Sequence, residues 1–175
     1  MVFHDVERRH APLSIDYINS RLTVDMNTGI AYWKDPSKFH PGLIGKVAGC
    51  ATKNRADKVY WIIRIDSTPY PRAHIVFALK TGKWPALCVD HKNGNPLDDS
   101  PDNLREATKL QNSWNMKGMK KKSQLPMGVR KTTSGKFQAR ITVKRESVYI
   151  GSFESPLEAS AAYKAARATY YGEFA

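Results

Sequence analysis

The C-terminal part of the chain has the clearest alternation of apolar and polar positions. From 136 to 144 every second residue is apolar or small, which predicts a strand with one core face and one basic face. The stretch SVYIGSF follows a short turn at Arg145-Glu146 and predicts a second strand, in which Tyr149 faces outward. The pattern therefore predicts a hairpin with one basic surface.

A helix is predicted directly after this hairpin. Ser155 is suited to the N-cap, Pro156 to the first helical position and Glu158 to the reciprocal position of a capping box. Gly172 is placed to end the helix. The predicted packing stripe consists of Ala159, Ala162, Tyr163, Ala166 and Tyr170.

The N-terminal half has a more mixed pattern. A short helix is predicted from Ser14, a hairpin over LTVDMNTGIAYW and a strand over 58–66. The stretch RAHIVFALKTG has helical spacing, and Gly82 lies where that helix would stop. These elements predict a small sheet covered by helices.

Further along, the pattern predicts a strand, a long loop, a second strand and a helix. The first strand ends at His91, the loop KNGNPLDDSPD is rich in turn-forming residues, NLREAT forms the second strand, and the helix begins near Thr108. Asp90 and His91 can share one site only if their strand ends or bends there, because neighbours on a regular strand face opposite ways. The turn formers after His91 favour such an ending.

This cluster has the residue types that phosphodiester hydrolysis requires. A neutral imidazole, with an ordinary pKa of about 6.5, can accept the proton of an attacking water. A carboxylate combined with an amide oxygen suits a hard divalent cation such as Mg²⁺. Taken alone, an Asp-His pair in a loop is more typical of a hydrogen-bonded surface dipeptide.

Composition narrows the class of protein. With 175 residues and 41% hydrophobic content, the chain is expected to form one domain or two small ones. No apolar run approaches the roughly 18 to 20 residues of a membrane helix, and the first residues do not resemble a signal peptide, so a cytoplasmic protein without a membrane partner is expected. Two cysteines do not supply a four-thiolate structural zinc site. The net charge of +12 favours nucleic acid as partner, although a basic ribosomal protein would have the same composition.

The stretch LCVDHKNGNPLDDSPDNLREATKLQNSWN closely resembles the HNH homing-endonuclease family, which is common in phages and mobile introns. The preceding GIAYW and AHIVFALKTGKWP also resemble that family, so the resemblance covers roughly Leu22 to Asn115. It implies an α+β protein with a ββα-metal nuclease fold, elaborated at its N-terminal side by a helix and a β-hairpin.

The resemblance also implies roles for single residues. His91 would be the general base, Asp90 a metal ligand, Asn103 the residue that orients His91, and Asn112 the second metal ligand. The implied cofactor is a divalent metal, Mg²⁺ with Mn²⁺ as the alternative. His74 is expected to be a packed or hydrogen-bonded structural histidine.

Residues 128–175 are similar to the Apetala-two DNA-binding domain, which occurs in plant transcription factors and as an appendage of phage HNH nucleases. The similarity implies a three-stranded sheet and one helix, with the sheet in the major groove of DNA. Phe137 matches a family position, but the alternation turns it toward the core. The residues expected to contact DNA are Arg130, Lys131, Lys136, Arg140, Lys144 and Tyr149.

These inferences predict a nuclease domain over 1–116, a basic linker over 117–127 and an Apetala-two-like domain over 128–175. The predicted function is metal-dependent, site-specific cleavage of double-stranded DNA by a homing-type endonuclease that nicks or cuts both strands. A cytoplasmic monomer is expected, in the host cell if a phage encodes it. One alternative is a DNA-binding transcriptional regulator with an inactive HNH half. A basic RNA-binding protein is the other, although the chain lacks the usual stacking motif of RNA modules.

Overall fold

The computed structural model describes residues 12–36, 40–54, 57–115 and 125–174. The chain divides into two compact units between Thr108 and Lys109. Most of the predicted linker 117–127 lies outside the described residues, and the domain limits at 116 and 128 stay predictions.

The described residues of the first unit form small antiparallel sheets and two α-helices. The structure confirms the predicted helix from Ser14, the hairpin after it, the strand over 58–66, the helix ending at Gly82 and the two later strands. The strands Cys50–Lys53 and Thr68–Pro71 were not predicted. The elements are α1 (Ile15–Arg21), β1 (Leu22–Val24), β2 (Ala31–Trp33), β3 (Cys50–Lys53), β4 (Val59–Ile65), β5 (Thr68–Pro71), α2 (Arg72–Thr81), β6 (Cys88–His91) and β7 (Leu104–Ala107).

Three antiparallel sheets organise the described part of this unit. β1 pairs with β2, the order of the second sheet is β3-β4-β5, and β6 pairs with β7. The main core lies between α1, α2 and the second sheet, and a smaller cluster packs α2 against Leu104 of β7. The main core contains Ile18, Leu22, Ala31, Ala48, Ile63, Ile65, Tyr70, Ile75 and Ala78. Helix α2 therefore links the main core to the β6-β7 hairpin.

Helix α2 is buried over most of its length. All seven residues of 72–78 are buried, including Arg72 and His74, so two polar side chains enter the interior from one helix. Gly82 adopts a left-handed conformation with a φ of 73°, and its N–H donates to the carbonyl of Ala78 at 2.8 Å. The predicted glycine stop is thus confirmed.

The second unit contains a three-stranded antiparallel sheet with the helix Pro156–Tyr171 packed against it. Ala139 and Ile141 are buried on the middle strand of this sheet, and Ala159 and Tyr163 are buried on the helix. No helix in the described part of the chain is long and apolar enough to cross a bilayer. The elements are α3 (Lys109–Asn115), β8 (Val129–Lys131), β9 (Phe137–Val143), β10 (Glu146–Phe153) and α4 (Pro156–Tyr171).

Two local expectations in this unit are wrong. The β9-β10 turn consists of Lys144 and Arg145, not Arg145 and Glu146, because Val143 pairs with Glu146 and leaves a two-residue loop. Both turn residues have positive φ, 48° and 73°, as a tight hairpin twisted to match its strands requires.

The second error concerns the end of α4. Tyr170, predicted to pack, is 47% exposed, whereas Tyr171 is buried and its hydroxyl donates to the carbonyl of Thr142 at 2.6 Å.

The capping box of α4 is confirmed, since the N–H of Glu158 donates to Ser155 Oγ and the N–H of Ser155 donates to the Glu158 carboxylate.

Helix α3 is held to the rest of the second unit by an aromatic stack and an arginine. The Trp114 ring lies parallel to the Tyr171 ring, with centroids 4.5 Å apart and planes at 6°. Arg167 of α4 donates from Nη2 to the carbonyl oxygens of Trp114 at 2.8 Å and Phe174 at 3.3 Å. Stacking and backbone capping together fix this seven-residue helix, which would be marginal alone.

Candidate active site

The site is built on the β6-β7 hairpin. Asp90 pairs with Arg105 and His91 pairs with Leu104 across the two strands. β6 ends at His91, as expected, and the N–H of Gly94 donates to the His91 carbonyl at 2.8 Å to close the following turn. Asp90 and His91 are 5% and 8% exposed, so both functional groups lie under the surface.

Asn103 fixes the loop that follows His91. Its Oδ1 accepts a hydrogen bond from the N–H of Asn93 at 3.0 Å, and its Nδ2 donates to the carbonyl of Asp98 at 2.6 Å. The N–H of Lys92 donates to the Asn103 carbonyl at 2.9 Å. One amide side chain thereby joins both ends of the loop, which has no regular structure of its own.

The His91 side chain contacts Asp99 directly. His91 Nε2 lies 2.7 Å from Asp99 Oδ1, and Arg72 Nε donates to the other carboxylate oxygen of Asp99, also at 2.7 Å. Arg72 Nη2 donates to the carbonyl of Leu97 at 3.1 Å, and the guanidinium lies over the Trp61 ring at 4.8 Å. An arginine from α2 thus holds the carboxylate that contacts the histidine.

Sequence reasoning missed both Asp99 and Arg72. The three aspartates of PLDDSPD are all typical turn formers. The pattern does not show that Asp99 is buried, at 1% exposed, whereas Asp102 lies at the surface. Arg72 lies 27 positions before its partner. The one available signal was an arginine at the start of an otherwise apolar helix, since a buried arginine requires an anionic partner.

The backbone of Gly29 lies directly against that of Asp99 and fixes its position. Gly29, in the β1-β2 turn, has a φ of 71°, and a Cβ added to it would lie 2.0 Å from the Asp99 carbonyl oxygen. Only glycine can occupy this position without displacing the loop. The β1-β2 turn therefore has a second role, because it supports the loop that carries Asp99.

Asp90 is oriented by a cross-strand arginine. Arg105 Nε and Nη2 each lie 2.9 Å from Asp90 Oδ2, and both side chains are less than a tenth exposed. Charge-assisted pairs of this kind fix orientation as well as contributing energy. The carboxylate that was predicted to bind metal is therefore held in one place before any ligand arrives.

His74 lies in the interior near Asp99 and His91. Burial lowers its pKa from 6.5 to about 4, which the opposing effect of the Asp99 charge does not reverse. Its ring meets the edge of Trp84, with centroids 6.0 Å apart and planes at 81°. A neutral, packed imidazole agrees with the structural role predicted for this residue.

The predicted site residues are divided between the units. Asp90, His91 and Asn103 lie together in the β6-β7 hairpin and its loop. Asn112 lies in α3, is partly buried and belongs to the second unit. Its role as a metal ligand stays a prediction.

The residues predicted to contact DNA lie on the sheet of the second unit or in its turns. Arg130 Nε and Nη2 donate to Gln138 Oε1 at 3.1 and 2.8 Å, and the Lys136 ammonium pairs with Glu154 at 2.6 Å. The Arg140 guanidinium lies 5.8 Å from the centre of the Tyr149 ring, which is half exposed.

The two remaining lysines of this set, Lys131 and Lys144, are exposed. Phe137, which is outside the set and was predicted to face the core, is partly buried. Such lysines are placed to meet a polyanion, but exposure alone does not assign them a ligand.

The donor atoms near His91 determine which metal ion this region could bind. Within the described residues no three His, Cys, Asp or Glu side chains are grouped to hold an ion. Mg²⁺ typically uses only one or two carboxylates and completes its coordination with water and substrate phosphates. The oriented Asp90 carboxylate fits that chemistry, whereas zinc would require more nitrogen or sulfur ligands.

The comparisons with known proteins bear on this region. Residues 72–114 match the HNH endonuclease family model. The match starts at Arg72, includes the β6-β7 hairpin and reaches Trp114, so it covers about a quarter of the chain. Members of the matched family are nucleases, which are phosphodiester hydrolases that act on nucleic acid.

A phage protein is also similar to this chain. Protein 3.8 of Escherichia phage T7 is 51% identical over 49 residues, which make up 27% of this chain and 40% of that protein. The shared region is therefore less than half of either protein. No solved structure matches the chain.

Proposed function

We propose that this protein is a metal-dependent endonuclease of the homing type, which hydrolyses phosphodiester bonds in double-stranded DNA. The observation that carries the proposal is the buried pair of His91 and Asp99, next to the oriented carboxylate of Asp90, inside the segment that matches HNH endonucleases. Buried, partnered ionisable groups on one hairpin are typical of catalytic sites.

His91 acts as the general base. Its imidazole takes a proton from water, the water oxygen forms a bond to phosphorus, and the bond from phosphorus to one bridging oxygen breaks. That bridging oxygen takes up a proton from solvent as it leaves. Asn103 supports the step indirectly, because its amide holds the loop that carries Asp99 against His91.

Asp90 and Asn112 would hold the divalent cation. When bound, Mg²⁺ or Mn²⁺ would stabilise the negative charge that develops on the phosphate and on the leaving oxygen. Arg105 keeps the Asp90 carboxylate oriented for this purpose. An amide oxygen is a weaker ligand than a carboxylate, so Asn112 is expected to set the metal concentration that the enzyme requires.

The second unit is proposed to bind DNA as an Apetala-two-like domain. Its three-stranded sheet backed by one helix supports this proposal. Arg130 and Arg140 are the expected base readers, because a guanidinium can donate two hydrogen bonds to guanine. Lys131, Lys136, Lys144 and Tyr149 are the expected backbone contacts. One site in a monomer would nick a single strand.

A supercoiled-plasmid assay tests the proposal. The purified chain should relax the plasmid in the presence of Mg²⁺ or Mn²⁺ and leave it intact with EDTA. Binding without cleavage under any of these metals would contradict the nuclease and favour a DNA-binding regulator.

Metal titration then tests the ligands. Asp90→Ala and Asn112→Ala should raise the Mg²⁺ concentration at half-maximal cleavage, and Asn112→Asp should lower it. Asp16→Ala and Asn19→Ala, at exposed positions of α1, are the matched controls. An unchanged titration for both Asn112 variants would remove this residue from the metal site.

A further inference from the structure

The His91–Asp99–Arg72 chain of contacts places a carboxylate between an imidazole and a guanidinium. Both contacts are 2.7 Å long and use different oxygens of Asp99. The three side chains are all less than a tenth exposed, so water competes little for these bonds. Arg72 is also held by the Leu97 carbonyl and the Trp61 ring, which fixes the position of the guanidinium.

The chemistry of these groups decides which nitrogen of His91 carries its proton. A guanidinium only donates hydrogen bonds, and a carboxylate that is paired with it only accepts them. The bond between His91 and Asp99 therefore requires a proton on His91 Nε2. In the neutral ring the lone pair then lies on Nδ1.

We propose that Asp99, oriented by Arg72, fixes the tautomer of His91 and makes Nδ1 the nitrogen that takes the proton from water. The inference rests on the proposed role of His91 as general base and adds two positioning residues to it. Asp99 and Arg72 touch neither substrate nor metal in this scheme; they act only through the histidine.

Replacing Asp99 with Asn should reverse the tautomer. An amide offers one accepting oxygen, while Arg72 Nε and His91 Nε2 both require an acceptor. Because Arg72 can only donate and is fixed by its other contacts, the amide oxygen turns to Arg72 and the NH₂ group faces His91. His91 Nε2 must then accept, and the proton moves to Nδ1.

Nitrogen NMR of the imidazole ring measures this directly. In mildly alkaline buffer, the wild-type His91 spectrum should show a protonated Nε2 and an unprotonated Nδ1, and the two should exchange roles in Asp99→Asn. A His91→Gln spectrum assigns the signals. A wild-type proton on Nδ1 would overturn the inference, and so would an unchanged tautomer in a folded Asp99→Asn protein.

Cleavage supplies the second readout. Asp99→Asn should cleave plasmid about 10² to 10⁴-fold more slowly while binding DNA as before, as expected when the base nitrogen is turned away. Asp102→Asn, an exposed aspartate of the same loop, should cleave at the wild-type rate. A wild-type rate for Asp99→Asn would remove Asp99 from the positioning of the base.

The two readouts separate failure of this inference from failure of the proposed function. If the tautomer is as stated but no metal supports cleavage, the nuclease proposal fails while the assigned proton position stands. If cleavage occurs and the tautomer is reversed, the nuclease stands and the inference fails.

Discussion

The two units of the molecule use charged side chains in opposite ways. In the first unit the side chains of Arg72 and Asp99 are 6% and 2% exposed, and their pair lies inside the site. In the second unit the side chains of Lys136 and Glu154 are 51% and 76% exposed. The first arrangement fixes atoms in place, whereas the second leaves a cation able to exchange its partner.

This difference corresponds to two different tasks. A general base needs one proton held on one nitrogen, and buried pairs provide such fixed geometry although desolvation makes them costly. A surface that follows a phosphate backbone needs hydrated, mobile cations that release counterions on binding. The contrast between the units therefore leads to predictions with effects of different size.

The largest effect on stability is expected for Asp99→Ala. The substitution leaves Arg72 buried without its carboxylate partner and should lower the free energy of unfolding of the first unit by about 3 to 5 kcal/mol. Urea denaturation, compared with that of Asp102→Ala, measures the effect. Equal stability of the two variants would show that the buried pair is no more important than an exposed aspartate.

Acid should destabilise the first unit through His74. Its pKa is about 4 in the folded chain, below the ordinary 6.5, so the unfolded chain binds more protons between these pH values. The contribution of neutral His74 to the free energy of unfolding is complete above pH 6.5. It is lost as the pH falls toward 4, by about 3 kcal/mol in total. Urea denaturation at several pH values measures this loss.

A matched variant and the second unit are the controls for the acid effect. His74→Gln should flatten the pH dependence of the first unit. All five histidines precede residue 92, so the second unit has none to contribute. A pH profile that His74→Gln does not change would refute this explanation of acid sensitivity.

Base reading by the second unit should depend on Arg140. If Arg140 contacts a guanine, Arg140→Ala should reduce discrimination at one base pair by about 1 to 3 kcal/mol. Lys144→Ala should instead weaken binding to all sequences and reduce the salt slope by about 1. Binding to specific and scrambled duplexes at several salt concentrations distinguishes the two, and an equal loss on both duplexes for Arg140→Ala would exclude base reading.

The smallest effect is expected for the exposed ion pair. Lys136→Ala should leave the stability of the second unit almost unchanged, because an ion pair in water contributes little. Thermal unfolding of this variant beside Glu154→Ala measures the change. A loss as large as that of Asp99→Ala would remove the distinction between the two units.

Local patterns in the sequence predicted most of the second unit. Alternation over 136–144 and the capping box at Ser155 depend on residues close in the chain, and β9 and α4 follow them. Tyr171 was missed because helical spacing favours Tyr170, whereas the hydrogen bond to the distant Thr142 carbonyl selects its neighbour. Contacts distant in sequence decide such details.

The candidate site was predicted only in part for the same reason. Asp90 and His91 are adjacent, so the motif and the end of β6 could be read together. The pairing of Asp99 with Arg72 depends on how α2 packs beside the loop, which no local pattern encodes. Likewise, α3 follows β7 directly in sequence, but the stack of Trp114 on Tyr171 places it in the second unit.

Plasmid cleavage by His91→Ala tests the central claim most directly. Loss of the general base should slow Mg²⁺-dependent cleavage by about 10² to 10⁴-fold. DNA affinity should stay within a few-fold, and His40→Ala, at an exposed position, should cleave like the wild type. Cleavage by His91→Ala close to the wild-type rate would contradict the assignment of His91 as the base.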